Sequence, residues 1–233
     1  MAKSSLTLEQ FKSLCNFDSK TGKWIQKSGK PYIDALSAIF NLVNKNDKPF
    51  TVEDIKQQPT KENFKFKGVN DYTYICDLSV SPLEITNDGR KNEKIIASNF
   101  TKKGKQIFDK SNGVSYMLTC VIENQEHIIK IGQTRTPFSK RLQSYNCGVV
   151  NNWRTASTTN VKMLQSMVTS RQIFKLYICD CSADQYSITW HGVQSINFAS
   201  PKSLAIEDIM VKEFIKQFNK KPLANIQANA TEN

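Results

Sequence analysis

Apolar and polar positions alternate most clearly near the middle of the chain. Residues Ser115–Glu123 and His127–Ile131 are predicted to be two short strands, and the turn residues Asn124–Glu126 between them predict a β-hairpin. Gly132 is predicted to end the second strand, at a point where the backbone needs a positive φ or a close approach. A third strand is expected at Phe174–Cys179, followed by strand-like residues over Ile188–Phe198.

Helical spacing follows the hairpin and returns towards the end of the sequence. Thr136 and Pro137 are typical of a helix start. Four residues after them, Phe138, Arg141, Leu142 and Tyr145, have the spacing that places side chains on one helical face. Asn160 is predicted to cap a further helix, and Ser200-Pro201 to open a last one. The apolar stripe of that last helix is Ile206, Ile209, Met210, Phe214 and Phe218.

The order β-β-α-α-β-α predicts an α/β (α+β) fold, in which a small, mostly antiparallel three-stranded sheet is flanked by helices. Residues 1–110 differ in composition, because they are rich in Lys and Asn, and they predict a mixed N-terminal domain. Its predicted elements are helices at Leu8–Cys15, at Ile33–Val43 and after Thr51, and strands at Thr73–Leu78 and Ile85–Thr86. The turn Ser111-Asn112-Gly113 marks the expected boundary with the second domain, 111–233.

The charge balance points to a polyanionic partner. Thirty-two Lys and Arg against 21 Asp and Glu give the 233-residue chain a formal net charge of +11. Such an excess attracts nucleic acid first and an anionic membrane surface second, and a generally lysine-rich surface is the plain alternative. No apolar run approaches the ~20 residues of a membrane span, and the first residues lack the apolar centre of a signal peptide. We therefore expect a cytoplasmic protein with no membrane partner.

The six cysteines and two histidines are scattered through the chain. Without a secretory signal the cysteines are expected to be reduced thiols, several of them buried. Zinc is not expected, because the cysteines have no zinc-ligand spacing and the histidines are too few.

Five polar residues together are candidates to catalyse phosphodiester hydrolysis. Tyr116 on the first hairpin strand and Lys130 on the second are expected to be neighbours, so that the ammonium lowers the phenol pKa and favours a phenolate base. Arg141 has the planar donor fork that suits two phosphate oxygens, with Tyr145 one turn later. Glu207, expected in the first turn of the last helix, is a candidate Mg²⁺ ligand. Each residue also has a plain structural explanation, so the prediction depends on their joint arrangement.

That arrangement resembles the GIY-YIG nuclease superfamily. Val114-Ser115-Tyr116 corresponds to the first tripeptide and Lys130-Ile131-Gly132 to the second, followed by Gln133-Thr134. Arg141 and Tyr145 fall at the family's helical positions, Glu207 at its metal-binding glutamate and Asn219 at a late asparagine. The resemblance covers residues 113–225. The second motif departs from the pattern, since Lys130 replaces a tyrosine, and this exchange is similar to type II restriction endonucleases of the superfamily.

The resemblance implies a sequence-specific endonuclease that cuts both strands of DNA as a homodimer and uses one Mg²⁺ per active site, with Mn²⁺ as a substitute. Tyr116 would be the general base, with Lys130, Arg141, Tyr145, Glu207 and Asn219 as the other catalytic residues. Polar residues near the active helix are the predicted DNA contacts: Gln133, Thr134, Asn146, Asn151, Asn152, Arg154, Thr158, Thr159 and Asn160. Residues 1–110 would bind DNA or build the dimer.

Three alternatives remain open on the sequence. The first is a non-catalytic DNA-binding regulator on a degenerate nuclease fold, and the second is a nicking endonuclease of the homing or repair type. An RNA-binding module is the weakest, because the chain lacks the usual aromatic RNA-recognition stripe.

Overall fold

The computed structural model describes residues 15–18, 23–26, 49–82, 93–146, 149–150, 153–154, 158–187, 189–195, 198–199 and 202–225. The α-helices there are α1 (Val52–Lys56), α2 (Gly104–Lys110), α3 (Phe138–Asn146), α4 (Thr158–Ser170) and α5 (Lys202–Phe218), and a short 3-10 helix covers Lys67–Asp71. The strands are β1 (Cys15–Asp18), β2 (Lys23–Gln26), β3 (Thr73–Val80), β4 (Ile95–Ser98), β5 (Val114–Ile122), β6 (Gln125–Thr134), β7 (Val149–Val150), β8 (Trp153–Arg154), β9 (Phe174–Asp180), β10 (Gln185–Tyr186), β11 (Thr189–Trp190), β12 (Val193–Gln194) and β13 (Phe198–Ala199).

The main sheet has five strands in the order β4-β3-β9-β5-β6, and every neighbouring pair is antiparallel. The predicted antiparallel character is confirmed, but the prediction of three strands is wrong. β3 and β4 come from the first half of the chain, and β3 pairs with β9 from the second half. The sheet therefore crosses the boundary predicted at residue 110. The remaining strands form two-stranded pairs: β1 with β2, β7 with β8, β10 with β13, and β11 with β12.

The hairpin of β5 and β6 confirms the prediction from alternation. Its turn is at Glu123 and Asn124, which both have positive φ, 52° and 64°. Positive φ at both turn positions matches the right-handed twist of the flanking strands. Gly132 does not end the second strand as predicted, because β6 continues through it to Thr134.

The helix starts agree with the sequence pattern in part. Thr51 caps α1 and forms a capping box with Asp54, as its position suggested. Asn160 is not a cap, because α4 begins two residues earlier and buries Asn160. The predicted elements Ile33–Val43 and Ile85–Thr86 lie outside the described residues, as does Leu8–Cys15 apart from the last residue. Among the described helices, none is long and apolar enough to cross a membrane.

Two apolar cores lie on opposite faces of the sheet, because successive strand residues point to opposite sides. On one face, Tyr116 and Leu118 pack with the helical residues Phe108, Phe138 and Met163 of α2, α3 and α4. On the other face, Met117 and Ile131 pack with Met210 and Phe214 of α5. Ile209, expected in the buried stripe of this last helix, is 49% exposed.

Both edge strands of the main sheet are bound by an asparagine side chain. On β4, the Ile95 N–H donates to Asn146 Oδ1 at 2.7 Å, and Asn146 Nδ2 donates to the Ile95 carbonyl at 2.8 Å. On β6, the Ile131 N–H donates to Asn225 Oδ1 at 3.0 Å, and Asn225 Nδ2 donates back to the Ile131 carbonyl at 2.7 Å. Each amide thus reproduces the donor and acceptor of a neighbouring strand.

Candidate active site

Two phenols and a guanidinium meet where β5 faces α3. The hydroxyl oxygens of Tyr116 and Tyr145 are 2.7 Å apart, and both residues are buried. Arg141 Nε lies 3.4 Å from the Tyr116 oxygen, a long hydrogen bond, and the guanidinium carbon lies 4.7 Å from the centre of the Tyr145 ring. Arg141 and Tyr145, two of the side chains that the helical spacing placed on one face, therefore form one cluster with the strand tyrosine Tyr116.

Gly132 makes room for the Tyr116 ring. The two residues are directly paired across β5 and β6. A Cβ atom built on Gly132 would lie 2.9 Å from Cε2 of Tyr116, and still closer to its Cζ and hydroxyl oxygen. Real Cβ atoms essentially never come that close, so the glycine is needed for the close approach of the ring and not for a turn.

Burial controls the protonation of both phenols. It raises the pKa of Tyr116, and the charge of Arg141 and the hydrogen bonds from Tyr145 and Arg141 only partly oppose it. Burial also raises the pKa of Tyr145 well above its usual value, with a further rise from Tyr116. The expectation that a nearby ammonium lowers the Tyr116 pKa is therefore wrong for the free protein, because desolvation is the larger effect.

Lys130 is a buried amine, 5% exposed. It pairs with Leu118 across the hairpin, two residue pairs away from Tyr116 and Gly132. Because every second residue of a strand points to the same side, Lys130 shares a face with Tyr116. Its Nζ donates to the Ala224 carbonyl at 3.0 Å. Burial, and then the charge of Arg141, lower the pKa of Lys130 to about 8, and Glu207 opposes this. The amine is consequently partly neutral in mildly alkaline solution.

Glu207 lies in the second turn of α5 rather than in its first, because the helix begins at Lys202. Burial raises the pKa of its carboxyl, while the charges of Lys130 and Arg141 lower it. These couplings place the carboxylate within electrostatic range of both cations. Among the residues described, no three His, Cys, Asp or Glu side chains group to hold a metal. A single half-buried carboxylate still fits Mg²⁺, which keeps several waters and takes phosphate oxygens as its other ligands.

The expected late asparagine, Asn219, follows the end of α5, and a second one, Asn225, is bound to β6 next to the site. Asn219 is exposed at the C-terminal end of α5, with φ of 53°, and its N–H donates to the Ile215 carbonyl at 2.7 Å. Asparagine commonly ends a helix in this left-handed conformation. Asn225 instead holds Ile131, between Lys130 and Gly132. The sequence signal that could have found it is its place three residues after Pro222, beyond the helix end.

Several predicted DNA contacts are already used within the protein. Both polar groups of the Asn146 side chain bind Ile95, and Thr134 Oγ1 donates to the Thr136 carbonyl at 3.0 Å. Asn160 is buried, and Gln133 Oε1 is buried without a hydrogen-bond partner among the described atoms. Asn146 and Thr134 therefore have a structural role in the fold, and their contact with DNA stays a prediction.

The other predicted DNA contacts have no described side chain. Thr158 and Thr159 begin α4, and Arg154 ends β8, with only their backbones described. Asn151 and Asn152 lie outside the described residues.

No protein-family model matches the chain, and no curated protein matches it. Among solved structures, the chain is similar to the restriction endonuclease HPY188I in complex with product DNA. The sequences are 29% identical, the match covers 79% of this chain and 96% of that chain, and the TM-score is 0.48.

Proposed function

We propose that this protein is a Mg²⁺-dependent, sequence-specific endonuclease that cuts both strands of DNA, of the type II restriction class and of GIY-YIG type. The observation that carries the proposal is the buried contact between the Tyr116 and Tyr145 hydroxyls beside Arg141, with Lys130 and Glu207 in electrostatic range. Phosphodiester hydrolysis needs a base for water, positive charge for the phosphorane and support for the leaving oxygen. This cluster holds a candidate for each.

Tyr116 is the proposed general base. Its raised pKa means that the phenol keeps its proton in the free protein, so that proton must leave before the oxygen takes one from water. Lys130 is the proposed acceptor, because its pKa of about 8 leaves part of the amine neutral. Arg141 would bind two non-bridging phosphate oxygens, and the Tyr145 hydroxyl would donate a hydrogen bond to the same phosphate.

Glu207 is the proposed protein ligand of Mg²⁺, with Mn²⁺ as a substitute. The cation would supply positive charge near the leaving 3′ oxygen. The cations Lys130 and Arg141 keep the Glu207 pKa lower than burial alone would make it, which favours the ionised form that a metal needs.

Duplex DNA is the proposed partner, and six exposed cations in and near α2 and α3 support it. Lysines 102, 103, 105 and 110 in and before α2 are exposed, as are Arg135 and Lys140 near the start of α3. Between residues 102 and 141, outside the β5–β6 hairpin, the one acidic residue is Asp109. Its side chain pairs with Lys105. On α5, by contrast, Lys212 pairs with Asp208 and Lys216 with Glu213.

Contacts inside the protein connect α2 to the site. The Phe108 ring lies 5.6 Å from Phe138, and Phe138 lies 4.9 Å from Tyr116. The Gly113 N–H also donates to the Arg135 carbonyl at 3.2 Å. The positive surface of α2 would thus continue to Arg141, along the path of a bound phosphate backbone.

The test is incubation of purified protein with supercoiled plasmid and Mg²⁺. Discrete fragments with matched ends on both strands are expected. Loss of sequence preference, or nicks at scattered positions, would favour a repair or homing type of nuclease. A homodimer is expected, since a two-fold dimer cuts both strands of a palindrome symmetrically, and sedimentation of the protein with DNA would detect it.

One observation favours a second candidate, a non-catalytic DNA-binding regulator. Tyr116 and Tyr145 satisfy each other in a buried hydrogen bond, and burial raises the pKa of both phenols. This is also how two purely structural tyrosines behave. Sequence-specific gel shifts without cleavage in Mg²⁺, Mn²⁺ and Ca²⁺ would support the regulator and exclude the nuclease.

A further inference from the structure

A third buried tyrosine approaches the site from the opposite face of the sheet. Tyr72 follows the 3-10 helix and belongs to the core that packs against α5. Its hydroxyl oxygen lies 2.6 Å from Ser115 Oγ. Since Ser115 and Tyr116 are successive residues of β5, their side chains point to opposite faces. Tyr72 therefore lies behind the strand that carries Tyr116.

The hydrogen bonds continue from Tyr72 into β6. Ser115 Oγ donates to the Gly132 carbonyl at 3.2 Å. A serine hydroxyl has only one hydrogen to donate, so Ser115 accepts from Tyr72 while it donates to Gly132. Ser115 and Gly132, the last two members of this series of hydrogen bonds, are both neighbours of Tyr116. Ser115 precedes it along β5, and Gly132 is its partner across β6, with the Tyr116 ring lying over it.

We propose that Tyr72 is a positioning residue for the Tyr116 phenol and acts through Ser115 and Gly132. These hydrogen bonds hold β5 and β6 together where the Tyr116 ring packs on Gly132. They thereby keep the ring in contact with Arg141 and Tyr145. The inference rests on the proposed function, because it gives the fixed ring a catalytic task. It also gives residues before position 110 a direct part in the site.

Electrostatics agree with this placement. Burial raises the pKa of Tyr72, and the Glu207 carboxylate adds to the rise. The phenol is therefore a neutral donor near neutral pH, as its bond to Ser115 requires. It also lies within the field of the proposed metal ligand, on the side of the sheet where α5 packs.

The test compares Tyr72→Phe with a matched control, Tyr74→Phe. The control substitution also removes a hydroxyl that donates a hydrogen bond, in this case to Asp77 at 2.8 Å. Tyr74 lies in β3, two residues after Tyr72. Both variants should fold and bind DNA with a Kd within about twofold of the parent. Only Tyr72→Phe should lower kcat, by about ten- to hundredfold, because small misplacements of a reacting group cost rates of that size. An equal kcat in the two variants would overturn the proposal.

Ser115→Ala gives a second, independent readout. If Tyr72 acts through Ser115, the double variant Tyr72→Phe/Ser115→Ala should lose no more kcat than the worse single variant. Losses in kcat that multiply would mean that the two residues act separately, and the proposed connection would be wrong.

A readout without DNA separates this inference from the nuclease proposal. With ring-labelled tyrosine, the Tyr116 resonance is identified by its disappearance in Tyr116→Phe. That resonance should shift in Tyr72→Phe and stay in place in Tyr74→Phe, whether or not the parent cleaves DNA. A parent without nuclease activity would end the proposed function alone, whereas an unshifted Tyr116 resonance would end the positioning role.

Discussion

The Tyr116 and Tyr145 hydroxyls are each other's buried hydrogen-bond partner, 2.7 Å apart. Tyr145→Phe should therefore leave the Tyr116 hydroxyl with only the long contact to Arg141. We expect a loss of about 1–3 kcal/mol in the free energy of unfolding, the usual cost of an unsatisfied buried polar group. We also expect a fall in kcat of about a hundredfold, within the range for a lost hydrogen-bond donor to the transition state. Denaturation with urea and single-turnover cleavage measure the two effects, and unchanged cleavage would remove Tyr145 from the mechanism.

Gly132→Ala should destabilise the protein by about 1–3 kcal/mol, because the new Cβ atom overlaps the Tyr116 ring. The nearest atoms to that Cβ all belong to Tyr116. In a Tyr116→Ala background, the same glycine substitution should then cost little. A double-mutant cycle of urea midpoints tests this, and equal costs in both backgrounds would show that the glycine serves another purpose.

Lys130 should make stability depend on pH in alkaline solution. Its folded pKa of about 8 is below its ordinary 10.5, so between these values the unfolded chain binds more protons than the folded one. Folding should consequently become more favourable as pH rises from about 8 to 10.5, by on the order of 3 kcal/mol. Buried thiols such as Cys120, whose pKa burial raises to about 12, act in the opposite direction. The measurement is therefore the difference in the free energy of unfolding between the parent and Lys130→Met at each pH. This difference should show the slope due to Lys130 alone.

Glu207→Gln should abolish cleavage in both Mg²⁺ and Mn²⁺, because a neutral amide is a poor ligand for a hard cation. DNA binding without metal should persist. The matched control is Asp208→Asn, since Asp208 is the next residue and pairs with Lys212. The control should keep its activity, and cleavage by Glu207→Gln at normal metal concentrations would exclude the carboxylate as the metal ligand.

Replacement of Lys102, Lys103 and Lys110 by Gln should weaken DNA binding and flatten its dependence on salt. Each lost phosphate contact lowers the slope of log K against log[salt] by about 0.9. The control replaces Lys212 and Lys216, which pair with acids on α5. Fluorescence anisotropy at several salt concentrations measures the slope. A slope that responds equally to both sets would place the DNA elsewhere on the protein.

Local patterns in the sequence predicted local structure well. Alternation fixed the hairpin of β5 and β6, and helical spacing placed Arg141 and Tyr145 together. The pairing of β3 with β9 could not be predicted in this way, because it joins residues about a hundred positions apart. Tyr72 and Asn225 were missed for the same reason, since a side chain that binds a distant group leaves no periodic signal. The direction of the Tyr116 pKa required knowledge of its burial.

The asparagines at the two margins of the main sheet limit how the protein assembles. Asn146 occupies the free hydrogen-bonding positions of β4 at Ile95, and Asn225 with Ala224 does so for β6 at Ile129 and Ile131. Exposed strand edges are where sheets extend into neighbouring molecules. At Ile95, Ile129 and Ile131 a second subunit finds no vacant backbone groups, so the expected dimer would not extend the main sheet at these positions.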